Sequence, residues 1–300
     1  MTATRYKLVG VGGIDIFYRE AGLAGAPEIL LLHGFPTASH MFRDLIGVLG
    51  SHFHVVAPDL PGFGRSEMPP RGFTYSFANL ATTMTSFAEV IGLSHFAIYV
   101  FDYGAPVGLR MAVEHPERIS AIISQNGNAY EEGLGSGWEP MKAYWQAPTE
   151  EFRNSLRAAF SPSATRYQYE EGVCDLTLIS PDAQTLDNYY LARPGAHEPQ
   201  LDYFTDYGDN VALYPVFQRY FREHQPPILA IWGERDPYFV PAGAMAFGGD
   251  VPDAEIKFLP TGHFALESHG DEIAADIIDF MNRKVATTDR SFGPIQAANT

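Results

Sequence analysis

The sequence predicts an α/β fold: a mostly parallel sheet flanked by helices, with a helical cap inserted between two of its later strands. Three observations carry this. Short apolar runs closed by Gly or Pro alternate with helix-period segments as far as residue 124. From Tyr130 to about Phe221 the chain is instead rich in Trp, Tyr, Pro and Gly, and its apolar runs read as helical or irregular. The strand pattern then resumes at 227–232. Strands alternating with helices imply parallel pairing with both faces covered, and an interruption of this length inside one sheet is too long for a plain loop. The expected organisation is a core of residues 1–130 and 216–300 with a helical cap at 131–215.

Each element follows from its own pattern. Residues 6–11 and 14–18 read as a hairpin-like opening pair. Residues 28–32 and 53–57 are buried strands, leading into His33-Gly34-Phe35-Pro36 and Asp59-Leu60-Pro61-Gly62-Phe63-Gly64. A helix is expected over 77–91, and a continuous apolar strand over 96–101. That strand is followed by Asp102-Tyr103-Gly104-Ala105 and a helix through His115, then by a strand over 119–124. Beyond the insertion, 255–259 is a strand leading into Thr261-Gly262-His263, and the amphipathic segment 271–283 closes the fold as a helix. The tail after Val285, polar with Gly, Pro and small residues, is expected to fray. Ligands of such sheets bind beyond the carboxyl ends of the strands, so the polar residues just after each strand are the ones to weigh.

Composition narrows the function. With 46% hydrophobic and 19% charged residues in 300, including 21 Phe and 16 Tyr, the chain has ample core material. A formal net charge of −16 argues against a nucleic-acid partner and against anionic substrates unless a basic pocket reverses the field. The single cysteine, Cys174, excludes an intrachain disulfide and a thiolate zinc site. No metal-ligand spacing and no phosphate-binding Gly-Lys-Ser/Thr loop occurs. The N-terminus has no signal-like apolar run, and no stretch of about 18 apolar residues spans a membrane. The expectation is a cytoplasmic protein that takes a small apolar organic substrate, needs no cofactor or metal, and partners neither nucleic acid nor membrane.

Asp102 is the first candidate. A carboxylate directly after an apolar strand, followed by small residues that allow a tight strand-to-helix turn, matches a nucleophile elbow. The usual Gly-x-Ser-x-Gly reads here as Val100-Phe101-Asp102-Tyr103-Gly104, with Asp in place of Ser. Taken alone, Asp102 reads first as a helix N-cap. His263 follows a strand behind Gly262, and Asp236 ends Trp232-Gly233-Glu234-Arg235-Asp236, where it could also serve an Asx-type turn ahead of Pro237. After the strand at 28–32, the N–H of Phe35 can converge with that of Tyr103 on one oxygen, as an oxyanion hole requires. Each signal is weak alone; together, each at a strand end, they define one site. Ser66 in Gly62-Phe63-Gly64-Arg65-Ser66 is in the wrong place to be a nucleophile.

Across about residues 5–285 these motifs resemble the α/β-hydrolase superfamily, and within it the branch of epoxide hydrolases and haloalkane dehalogenases. The resemblance rests on His33-Gly34-Phe35-Pro36, Asp59 through Ser66, Asp102-Tyr103-Gly104, Trp232 through Asp236, and Gly262-His263. It implies an Asp102 nucleophile, a His263 base oriented by Asp236, and a cap domain. A carboxylate displaces at an sp³ carbon to form an ester, which His263-activated water then cleaves.

The leaving group separates the subfamilies. Epoxide hydrolases of this type use two cap tyrosines, for which Tyr214 and Tyr144 are the candidates here, Met141 standing where the second is expected. Tyr214 reads equally as a core tyrosine. Haloalkane dehalogenases hold the halide with an Asn and a Trp at positions that are Phe35 and Tyr103 here, which leaves Tyr103, Trp138 and Trp145 as substitutes. The leading expectation is an enzyme opening small apolar epoxides to diols; carbon–halogen hydrolysis is the alternative, and a binding-only protein of the same fold a third.

Overall fold

The computed structural model describes residues 2–69 and 72–285. Its strands are β1 (Arg5–Val11), β2 (Ile14–Ala21), β3 (Glu28–Leu32), β4 (His54–Pro58), β5 (Phe96–Phe101), β6 (Ile119–Gln125), β7 (Ile228–Gly233) and β8 (Glu255–Leu259). They form one sheet in the order β1-β2-β4-β3-β5-β6-β7-β8. β2 pairs antiparallel with β1 and with β4, and every later neighbour pair is parallel. β2 runs on to Ala21, past the expected residue 18, because its last four residues pair with β4 on the other side.

The helices are α1 (Leu45–Leu49), α2 (Phe77–Val90), α3 (Gly104–Glu114), α4 (Glu139–Gln146), α5 (Glu150–Ser155), α6 (Pro162–Glu170), α7 (Pro181–Leu191), α8 (His197–His224), α9 (Pro241–Asp250) and α10 (Ala265–Lys284). α10 starts earlier than the expected residue 271 and bends at His269, whose φ is −130°.

β5 is apolar throughout, and β3 from Ile29 on, because both faces are covered. Along β5, Ile98 and Val100 point into one core with α2 and α3, while Ala97, Tyr99 and Phe101 point into a second core with α1 and α10. The same alternation places Leu30 and Leu32 on one side of β3, and Ile29 and Leu31 on the other. Each such fully buried aliphatic side chain contributes about 1.5–3 kcal/mol.

Between β6 and β7 the described chain is helical, from α4 to α8 with short 3₁₀ turns. Thr149, Ser161 and Ser180 cap α5, α6 and α7 by accepting backbone N–H bonds, as hydroxyl residues at these positions should. α8 passes unbroken through residues 215 and 216, with Pro215 inside it, and packs against α4 as well as α2, α3 and α9. No helix among the described residues is long and apolar enough to cross a membrane. The expectation for the tail after Val285 lies outside the described residues.

Candidate active site

β5 ends at Phe101, and Asp102 follows with φ +48°, a left-handed conformation that a residue with a Cβ adopts at a cost. Two glycines permit it. A Cβ on Gly104 would lie 2.2 Å from the Leu32 carbonyl oxygen, and one on Gly34 would lie 2.2 Å from Asp102 Oδ1. The carboxylate turns toward the loop after β3, where Oδ1 accepts the Phe35 N–H at 2.6 Å. α3 begins at Gly104 with no side-chain cap, so the capping alternative does not describe this carboxylate.

Asp236 follows β7 and His263 follows β8. His263 Nδ1 stands 2.6 Å from Asp236 Oδ2, both side chains buried. The same Oδ2 accepts Asn126 Nδ2–H at 2.8 Å, and Oδ1 accepts the Tyr238 N–H at 2.7 Å. Asn126 lies just after β6 with φ +47° and also accepts the Gly233 N–H at 2.9 Å. Its amide thus fixes the Asp236 loop from both ends.

Burial pushes the Asp102 carboxyl up to about 6; the His263 charge and the N–H groups of Phe35 and Tyr103 pull it back. Burial works to lower the His263 pKa, but the Asp236 charge, its hydrogen bond and the Asp102 charge outweigh it, and the ring lies above its ordinary value. The arrangement presents an ionisable carboxylate, two N–H groups directed at it, and an imidazole whose Nδ1 is occupied. It is a geometry for nucleophilic attack followed by base-assisted hydrolysis.

Asp102 and His263 open onto a cavity of about 800 Å³, within the range of pockets for small organic ligands. Phe35, Trp138, Met141, Leu156 and Phe204 supply much of its apolar wall. Tyr214 and Tyr144, expected as donors, are not on that wall. Tyr214 is buried with its hydroxyl accepting Asn128 Nδ2–H at 3.3 Å, and the Tyr144 hydroxyl accepts from Thr205 at 3.3 Å. Trp145 is also committed, donating to the Phe204 carbonyl at 3.0 Å. By contrast Trp138 Nε1 and the Tyr103 hydroxyl are buried without a partner among the described residues, and both residues line the cavity. No group of three or more His, Cys, Asp or Glu among the described residues could hold a metal.

The remaining motif residues build the floor. His33 is buried, accepts the Leu60 N–H at 2.9 Å, and is kept neutral by burial, which lowers its pKa to about 4. Asp59 accepts the N–H groups of Ser39 and Arg65, each at 2.7 Å. Ser66 accepts the Phe17 N–H and donates to the Asp59 carbonyl, away from the site.

The family model described as the alpha/beta hydrolase fold matches residues 27–270. The chain is an α/β hydrolase. A Saccharomyces cerevisiae protein named as an uncharacterized hydrolase is 44% identical over 277 residues, covering 91% of this chain and 95% of that one. A Mycobacterium tuberculosis protein named haloalkane dehalogenase 2 is 30% identical, covering 88% of this chain and 90% of its own length. Among solved structures, the haloalkane dehalogenase DbeA from Bradyrhizobium elkani superposes with a TM-score of 0.78 at 19% identity, covering 95% of this chain and all 100% of that one, a likeness of fold.

Two residues of this α/β hydrolase escape the sequence reading. Asn126 belongs to a stretch without an acid, and its signal is conformational: Asn tolerates the left-handed turn that follows β6. Tyr238, two residues past Asp236, packs its ring edgewise on His263 at 5.5 Å and lines the cavity. Nothing in its local pattern distinguishes it from a packing tyrosine.

Proposed function

We propose that this hydrolase opens epoxides to diols through an ester on Asp102. An Asp102 oxygen attacks the less hindered ring carbon, the carbon–oxygen bond breaks, and the ring oxygen takes a proton from a phenol at the cavity wall. Tyr238 is assigned this role in place of Tyr214 and Tyr144, since it lines the cavity and no hydrogen bond occupies its hydroxyl among the described residues, whereas the Tyr103 hydroxyl is itself fully buried. His263 Nε2 then takes a proton from water, whose oxygen attacks the Asp102 carboxyl carbon. The N–H groups of Phe35 and Tyr103 hold the oxyanion and Asp236 steadies the imidazolium; collapse breaks the ester bond, the leaving alkoxide takes the imidazolium proton to become the diol, and the proton left on the Asp102 carboxyl restores the phenol. The helical segment between β6 and β7 acts as the cap that closes this cavity over the sheet.

The observation that carries the reading is the Asp102 carboxylate itself, held at 2.6 Å by the Phe35 N–H in the same cavity as His263. A carboxylate attacking an acyl group gives an anhydride, a poor intermediate; attack on a saturated carbon gives a stable ester. A second reading, carbon–halogen hydrolysis, is favoured by the relatives named haloalkane dehalogenase and by Trp138, which borders the cavity and whose buried Nε1–H has no partner among the described residues. An indole N–H holds a departing halide but does not protonate an alkoxide.

Single turnover in ¹⁸O-water with paired epoxides and haloalkanes tests both. Label in the Asp102 peptide with diol formation is the expected outcome. Label with halide release transfers the assignment to the second reading, and turnover without label in Asp102 overturns the ester. His263→Gln should accumulate the ester, visible as a mass increase on that peptide.

A further inference from the structure

The cavity wall is not uniformly apolar. α6 lays one face along it, with Ser161, Ala164 and Gln168 among the lining residues. Spacings of three and four residues put these on one helix face. Ser161 is occupied as the cap of α6 and donates to the Ala158 carbonyl. Gln168 is different. Its side chain belongs to a residue only 7% exposed, it borders the cavity, and its amide makes no hydrogen bond with any described residue. The stem is packed while the amide keeps accessible surface where the residue borders the cavity, so it is free to pair with a ligand there, and a carboxamide both donates and accepts. The elements behind it are rigidly held: the next residue, Tyr169, stacks on Phe264 at 3.9 Å and donates to Asp187 at 2.6 Å.

Resting on the reading of Asp102 as nucleophile, we propose that Gln168 is a specificity-determining residue, binding a second, uncharged oxygen function of the substrate. The preferred epoxide is then not a plain hydrocarbon but one carrying a hydroxyl, ether or carbonyl oxygen away from the ring. Two observations make that function uncharged. Among the described residues, no Lys or Arg lines the cavity to hold an anion, and no carboxylate other than Asp102 lines it to hold a cation. The cavity's size leaves room for such a group beyond the reacting carbon.

The test uses the full chain and a series of 1,2-epoxydecanes in which one methylene after another is replaced by an ether oxygen. In the unmodified protein one or two positions should show KM lowered about tenfold relative to the hydrocarbon, the worth of one uncharged hydrogen bond. Gln168→Met, of similar length without the amide, should flatten that profile through KM. A flat profile in the unmodified protein, or a preference that persists in Gln168→Met, overturns the proposal. Calorimetric binding of the corresponding diols keeps this separate from the chemistry. If no epoxide turns over, the nucleophile reading fails, while a position-dependent diol affinity lost in Gln168→Met still supports the Gln168 assignment and its absence overturns it. Gln168→Leu repeats the measurement should Gln168→Met fold poorly.

Discussion

Asp102 and His263 set each other's protonation. Burial holds the carboxyl near 6, and the imidazole sits above its ordinary value partly because the Asp102 charge faces it. In the proposed mechanism ester formation would remove that charge, so the His263 pKa would fall at the stage where a neutral base is required. Two outcomes follow. Alkylation should lose activity as pH falls through about 6, where Asp102 protonates, read as the acid limb of single-turnover ester formation. The folded state binds this proton more tightly than the unfolded chain, so between its ordinary value of 3.8 and about 6 this group favours folding more as pH falls, opposite to activity. In Asp102→Asn, an NMR titration should place His263 lower than in the unmodified protein; an unchanged value would sink the coupling. Asn126→Gly keeps the left-handed backbone but removes the amide from Asp236 Oδ2. It should slow ester hydrolysis about tenfold while leaving ester formation much less affected, because Asp236 acts through His263.

At the scale of the element, close approach decides which substitutions matter. Gly104→Ala puts a Cβ 2.2 Å from the Leu32 carbonyl oxygen, between α3 and β3, and should cost at least about 1–3 kcal/mol by denaturant unfolding. Gly249, exposed near the end of α9, meets nothing within 4 Å, and Gly249→Ala should stabilise by about 0.5–1 kcal/mol. The same contrast explains what the sequence makes legible. β5 and the turn after it stand out because a strand covered on both faces is apolar without interruption, and a carboxylate at its end has no folding purpose. The donors around the leaving group do not stand out. Tyr214 and Tyr144 sit in aromatic-rich helices where a rotation of part of a turn decides between cavity and core, and both face the core side. Gln168 and Tyr238 reach the cavity through tertiary packing that no local period records.

On the scale of the whole molecule, the segment between β6 and β7 must stay registered on the sheet if Gln168 and Trp138 are to face Asp102. One buried contact ties its α6–α7 part to the core. Asp187 of α7, fully buried, stands 2.8 Å from His40 Nε2 in the turn before α1 and accepts the Tyr169 hydroxyl at 2.6 Å. Tyr169 in turn stacks on Phe264, the neighbour of His263. Asp187→Ala leaves the Tyr169 hydroxyl buried without its acceptor, at a cost of about 1–3 kcal/mol, and removes the carboxylate beside the His40 ring. Because α6 and α7 carry no strand of the sheet, the loss should be local before it is global. Hydrogen exchange in Asp187→Ala should accelerate in α6 and α7 while β5, β6 and β7 keep their protection, and kcat/KM should fall with it. Uniform acceleration across the sheet would instead make Asp187 a support of the entire fold, and unchanged exchange in α6 and α7 would remove it as the tie between this segment and the sheet.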